Sequence, residues 1–189
     1  RWKQNILDQT RQPSEIVIVD AFSDDGTAEK LFEWGSNDSR VKVIQEKGAA
    51  AHGRNIAIQN AQHEILLSTD MGVRLSSNWC EELIKPFEAD PTVDVVAGNS
   101  CIDVDTLRTS IAWAENYIEK CNPLILGPGL IPGNRSTAYK KNVWSELGGL
   151  PEDLTFYADD SLFFRQVIQT GKRIAYAPEA MTYWGRPED

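Results

Sequence analysis

Three carboxylates, each placed just beyond an apolar run, are the residues best suited to do chemistry. Asp20 follows Ile16-Val17-Ile18-Val19, Asp70 follows Ile65-Leu66-Leu67-Ser68-Thr69, and Asp159-Asp160 opens an amphipathic run whose Leu162, Phe163, Val167 and Ile168 share one side. A carboxylate can take a proton from a hydroxyl as that oxygen attacks. It can also accept hydrogen bonds from a ribose or a base, or bind a hard divalent cation. The adjacent acids Asp159 and Asp160 repel each other, which raises the proton affinity of one and suits it to act as a base. Each carboxylate also has a plainer reading. Asp20 to Thr27 is an acidic turn whose side chains could cap their own backbone, and the same holds for Asp70. Two acids at a helix start are also favourably placed in the helix dipole. Arg54 follows the small-residue stretch Gly48–Gly53, where a close backbone approach, a helix start and a guanidinium all favour phosphate. No P-loop pattern accompanies it. His52 reads as a surface histidine, and Trp184 either stacks on a sugar ring or closes the core.

The elements that must position these residues alternate. Residues 1–11 read as a helix tail closed by Pro13, and Glu15–Val19 as a buried strand. Thr27 is a plausible N-cap for a helix over Ala28–Trp34. A strand over 41–44, a Gly/Ala loop over 48–53 and a helix over 54–61 follow. Beyond them come a strand over 64–69, a helix marked by Trp79, Leu83, Ile84 and Phe87, and a strand over 93–96. Helical spacing recurs over 107–121, and the Pro- and Gly-rich stretch 122–133 reads as a loop. Strands alternating with helices predict an α/β fold, a mostly parallel sheet with helices on both faces, where ligands gather at the carboxyl ends of strands. Asp20 and Asp70 stand at two such ends. One domain over 1–189 is expected, and because the chain opens inside a helix, the strand before it is expected to lie outside residues 1–189.

Composition narrows the partners. The 189 residues carry 19 basic and 28 acidic side chains, a net charge of −9 with a pI near 4.8. That balance argues against a sequence-independent grip on nucleic acid or on anionic lipid, although it leaves room for one basic pocket. Cys80, Cys101 and Cys121 lack metal-ligand spacing and read as buried thiols in a reducing compartment. No apolar run approaches the roughly eighteen residues of a membrane span. The chain is expected to be soluble and cytoplasmic, at the inner face of the cell membrane only through segments outside it.

Five segments, in order, resemble the family 2 glycosyltransferases, nucleotide-sugar-dependent enzymes with the Rossmann-like GT-A fold. They are Gln9-Thr10 with Glu15–Asp20; Ser23, Asp25, Gly26 and Thr27; Gly53-Arg54-Asn55 with Ala57 and Ala61; Thr69-Asp70 with Trp79; and Gly148-Gly149-Leu150-Pro151-Glu152 with Asp159, Leu162, Arg165 and Gly171. The resemblance implies an inverting transfer to an acceptor hydroxyl in cell-surface glycan or glycolipid synthesis, with Asp159 as general base. It places Asp20, Ser23, Arg54 and Asp70 on the nucleotide-sugar donor, and Asp160, Trp184 and the residues around 134–139 toward a glycan or lipid-linked acceptor. It also implies a divalent cation, manganese or magnesium, at Asp70. The chain departs from the family pattern at three places: Ala21 for an Asp that contacts the base, Gly72 for the second Asp of DxD, and Ala158 for a Glu. Two alternatives remain: a sugar nucleotidyltransferase, and a degenerate module that binds a sugar nucleotide without turnover.

Overall fold

The computed structural model describes residues 2–103, 132–154 and 158–185. The predicted helix over 107–121, most of the loop over 122–133 and Cys121 lie outside the described residues. In chain order the elements are α1 (Trp2–Leu7), β1 (Ile16–Asp20), α2 (Thr27–Asn37), β2 (Val41–Gln45), α3 (Ala50–Asn60), β3 (Ile65–Ser68) and β4 (Arg74–Leu75). They continue with α4 (Trp79–Ala89), β5 (Val95–Ile102), β6 (Thr137–Lys140), α5 (Lys141–Glu146), α6 (Asp159–Gln169) and β7 (Ile174–Trp184). The chain forms two compact units: Arg1–Gln12, Leu67–Tyr139 and Lys172–Asp189 make the first, and Pro13–Leu66 with Lys140–Gly171 the second.

The first unit is built around a five-stranded sheet of order β3-β6-β5-β7-β4. β5 runs parallel to β7 and antiparallel to β6, while β4 pairs antiparallel with β7. β5 opens with Val95, Val96 and Ala97, all fully buried, as expected of a strand covered on both faces. The β5–β7 register slips between Ala97 and Asn99. A β-carbon at Gly98 would stand 2.0 Å from the Ser136 hydroxyl and 2.8 Å from the Ala180 carbonyl, so only glycine fits the bulge. Through that gap Ser136 donates to Ala180 O (2.7 Å) and accepts from the Trp79 indole (2.9 Å), tying α4 to the sheet. Gln9, buried after α1, donates to Ser76 O and accepts from the Cys80 amide, which caps the start of α4.

The second unit holds the parallel pair β1–β2 with α2, α3, α5 and α6. Along β1 the side chains alternate, with Ile16, Ile18 and Asp20 buried and Val17 and Val19 half-buried. Period-two geometry therefore puts Asp20 on the same face as the two buried isoleucines. Two predicted boundaries shift. The cap of α2 is Gly26, at φ 80°, with Thr27 as the first helical residue; its amide is held by the Asp25 carboxylate at 3.0 Å. The small-residue stretch is the first turn of α3, which starts at Ala50, so Arg54 sits in the second turn and away from the helix N-terminus. Consecutive alanines favour helix, and Gly53 lies where a β-carbon would make an ordinary 3.6 Å contact with Val19, so nothing interrupts the helix there. α5 is anchored by Lys141, whose ammonium donates to the carbonyls of Gln59 and Ala61 at the end of α3.

Candidate functional site

In the second unit the β1 end is fixed around Asp20. The Ser23 hydroxyl donates to Asp20 Oδ1 at 2.6 Å, and the Ser23 amide and the Gln45 side-chain amide donate to Oδ2 at 3.1 and 3.2 Å. Burial pushes the Asp20 carboxyl up, but the hydrogen bonds from Ser23, Gln45 and the Phe22 amide outweigh it and hold the group below the ordinary carboxylate value. Donors already occupy both oxygens. Asp20 thus orders the loop at the strand end as much as it offers a ligand contact, which joins the acidic-turn reading to the functional one. The next residue but one, Phe22, is 59% exposed and sits at φ 63°. That left-handed conformation costs a bulky side chain about 1–2 kcal/mol.

The second positive-φ non-glycine residue among those described is Ala158, at φ 75°, directly before Asp159. α6 begins at Asp159, and both its first residues are acids. Asp160 accepts from the Ser161 amide at 2.7 Å, a local cap. Asp159 instead turns to α3, where Arg54 Nη1 donates to its Oδ2 at 2.7 Å. The two side chains are 23% and 15% exposed, so salt screens this pair much less than a surface bridge. Strained backbone thus clusters at the two carboxylates assigned to one unit, where functional sites tend to store it.

Arg54 and Asp159 belong to segments 105 residues apart; of the residues that hold those segments together, Asn55, Leu150 and Glu152 were read from the sequence only as parts of family-like segments and His52 only as a surface histidine. The Asn55 amide joins α3 to Trp144, Leu150 and Glu152, and His52 Nδ1 lies 2.9 Å from Glu152 with Nε2 3.6 Å from Glu46. Leaving a buried partner of such a bond without a mate costs about 1–3 kcal/mol. Glu152, mainly through Asn55 and then His52, is held below its ordinary value; His52, mainly through Glu152, is held above its own. His52 is indeed near the surface, as expected, but as a bridge between two glutamates. The sequence signal that could have found this network is the recurrence of Asn and His on one helix beside Gly148-Gly149.

Asp70, Trp184 and Arg135 lie in the first unit. The Arg135 guanidinium stands 3.9 Å from Asp70 Oδ2 and stacks over the Trp184 ring at 4.6 Å, while Arg74 pairs with buried Asp103 and stacks over Tyr183 at 3.9 Å. Each cation faces an aromatic ring and a carboxylate, a surface suited to a sugar or an anion. As a cation site the turn is poor. Gly72 brings no side-chain donor, a guanidinium lies near the one carboxylate, and no three His, Cys, Asp or Glu side chains converge among the described residues. The residues present do not fit a metal by themselves. Among the described residues no helix is long and apolar enough to cross a membrane.

The family model for glycosyl transferase family 2 matches residues 4–148. The chain belongs to that family. It is 28% identical to the O-antigen chain rhamnosyltransferase WbaN of Salmonella anatum, over 95% of this chain and 59% of the relative. The mannosyltransferase PcManGT from Pyrobaculum calidifontis, solved with GDP-Man and Mn2+, superposes with a TM-score of 0.70 at 25% identity, covering 96% of this chain and 51% of that one. Staphylococcus aureus TarS, residues 1–349 in complex with UDP, gives 0.74 at 18% identity over 97% and 55%. These neighbours are glycosyltransferases and establish the Rossmann-like GT-A fold for this chain. The chain spans between about half and three fifths of the length of each.

Proposed function

We propose that the chain is the catalytic domain of an inverting glycosyltransferase that moves a sugar from a nucleotide-diphospho-sugar to an acceptor hydroxyl in cell-surface glycan synthesis. The observation that carries this reading is the Arg54–Asp159 pair at 2.7 Å, with a family-matched base position and a family-matched donor position in one ion pair. Donor chemistry is supported by the relatives: one is described as a rhamnosyltransferase, one is a mannosyltransferase in complex with GDP-Man and Mn2+, and one is in complex with UDP.

In the proposed reaction the acceptor oxygen attacks the anomeric carbon from the face opposite the diphosphate. The new carbon–oxygen bond forms as the bond to the phosphate oxygen breaks, and the nucleoside diphosphate leaves with the electron pair. Asp159 takes the acceptor proton. Arg54 pairs with Asp159 before the donor arrives, and the diphosphate then offers that guanidinium a second anion. As Arg54 turns toward the leaving group, Asp159 is released to act as base, and the charge growing on the diphosphate is met by that guanidinium. Asp20 and Ser23 shape the nucleotide side, while Asp160 and Trp184 are assigned to the acceptor. Asp70 is assigned to the donor, and any cation there must find its remaining ligands outside the described side chains.

Asp159→Asn is expected to lower transfer by roughly 10²–10⁴-fold, the usual worth of a positioned base, while calorimetric donor affinity is retained. Full activity in that variant sinks the base assignment. The same titration with and without manganese tests the cation at Asp70, and release of nucleoside diphosphate rather than pyrophosphate excludes the nucleotidyltransferase alternative.

A further inference from the structure

Asn55 uses every hydrogen-bonding position of its amide. Oδ1 accepts from the Trp144 indole N–H at 2.8 Å and from the Leu150 amide at 2.9 Å. Nδ2 donates to the Leu150 carbonyl at 2.8 Å and to Glu152 Oε1 at 2.7 Å. A carboxamide has two acceptor positions and two N–H donors, so this set is complete. The loop it grips is shaped to receive it. Gly148 and Gly149 have φ of 80° and 89°, and a β-carbon at Gly149 would stand 3.1 Å from Asn55 Oδ1 and 3.2 Å from the Trp144 indole nitrogen. His52, three residues earlier on the same helix, takes the other oxygen of Glu152 at 2.9 Å.

The position of this hub matters because of its neighbours. Asn55 follows Arg54 directly, and Glu152 belongs to the segment that leads to Asp159. One amide therefore joins the helix that presents the guanidinium to the stretch Leu150–Glu152, which precedes Asp159 in the chain. We propose that Asn55 is a positioning residue, whose four bonds set the approach of Asp159 to Arg54 and so the direction from which Asp159 meets the acceptor hydroxyl. The inference rests on the proposed role of Asp159 as base. An asparagine that served helix stability alone would have no need to satisfy all four positions on a distant helix and the loop that follows it.

The test is kinetic and spectroscopic, on the full chain. Asn55→Ala is expected to lower kcat by roughly ten- to a hundredfold, the scale on which a misplacement of about 1 Å acts, with the donor KM within about a factor of three. The indole N–H resonance of Trp144 is expected to move, reporting the lost bond. Glu152→Gln, a change at a half-exposed carboxylate, is expected to give a smaller kcat loss with the same split. Asn55→Asp combined with Glu152→Gln is expected to recover part of the kcat that Asn55→Asp alone loses, because the donor and acceptor across that bond are exchanged. Unchanged kcat with a displaced indole signal overturns the proposal, since the hub would then be a fastener only; a loss confined to KM overturns it equally. If Asn55→Ala does not fold, Glu152→Gln and the exchanged pair decide by the same criteria. Activity retained by Asp159→Asn overturns the base reading and this inference with it, whereas an inactive Asp159→Asn beside an unchanged kcat in Asn55→Ala overturns this inference alone.

Discussion

A carboxylate that is buried yet still below its ordinary proton affinity needs donors, and Asp20 has them from Ser23 in the loop after β1 and from Gln45 on β2. The consequence for stability has a definite sign. Because the folded-state value is depressed below 3.8, the contribution is fully present above that pH and is lost as pH falls through the lower folded value. Acid titration of the unfolding midpoint is therefore expected to show a loss below pH 3.8 that Asp20→Asn flattens; a parallel pair of curves would contradict it. Asp20 was legible in the sequence because it stands directly after a β-branched run, and Ser23 because it belongs to the polar loop that follows and to a family-like segment. Gln45 was not, because it meets Asp20 only through the β1–β2 register, which pairs Asp20 with Gln45. Arg54 and Asp159 were each legible as a candidate, but their ion pair was not, since nothing in spacing joins residues 105 apart.

At the scale of elements, the decisive packing is α3 against the loop Gly148–Glu152. His52 links them electrostatically and carries a pH dependence of its own. Its folded value lies above 6.5, chiefly through Glu152, so its contribution is complete below 6.5 and fades as pH rises through the elevated value. Glu152 is shifted the other way, so its contribution is present above 4.5 and is lost on acidification below that. The link is strongest between those limits. The stability difference between the parent and His52→Gln, from denaturant midpoints, is expected to shrink steadily as pH is raised above 6.5; a difference that grows would remove the bridge. The contribution is modest, since the groups are part-exposed and screened. Alternation of strands and helices announced most of these elements. The start of α3 was misplaced because glycines and a histidine read as loop, whereas the alanines and the fit of Gly53 against Val19 carry the helix through. The short strand β4 carries only two residues, too few for any periodic signal.

Across the whole molecule, the α/β class and the family were readable from ordered motifs, but the two compact units were not. Each is assembled from separated stretches, so no composition shift or linker marks a boundary. Antiparallel pairing of β6 and β4 was equally hidden, because a strand's apolar pattern does not record its direction. Net charge is the whole-molecule property that the sequence states outright, and it opposes the proposed ligand. A chain of charge −9 repels a nucleotide-diphospho-sugar at long range, whereas Arg54, in its proposed role, attracts it only at contact. The two effects separate by ionic strength. Raising it from about 0.01 M to 0.15 M shortens the screening length from roughly 30 Å to 8 Å, which removes most of the distant repulsion and leaves a partly buried contact largely intact. The donor association rate is therefore expected to rise about two- to fivefold over that range, within the reach of such fields. Arg54→Ala is expected to weaken binding throughout, chiefly through faster dissociation, and to keep the same upward trend in association. An association rate that falls with salt would mean that a basic surface near the site outweighs the net charge and steers the donor inward, contrary to the assignment of attraction to Arg54 at contact.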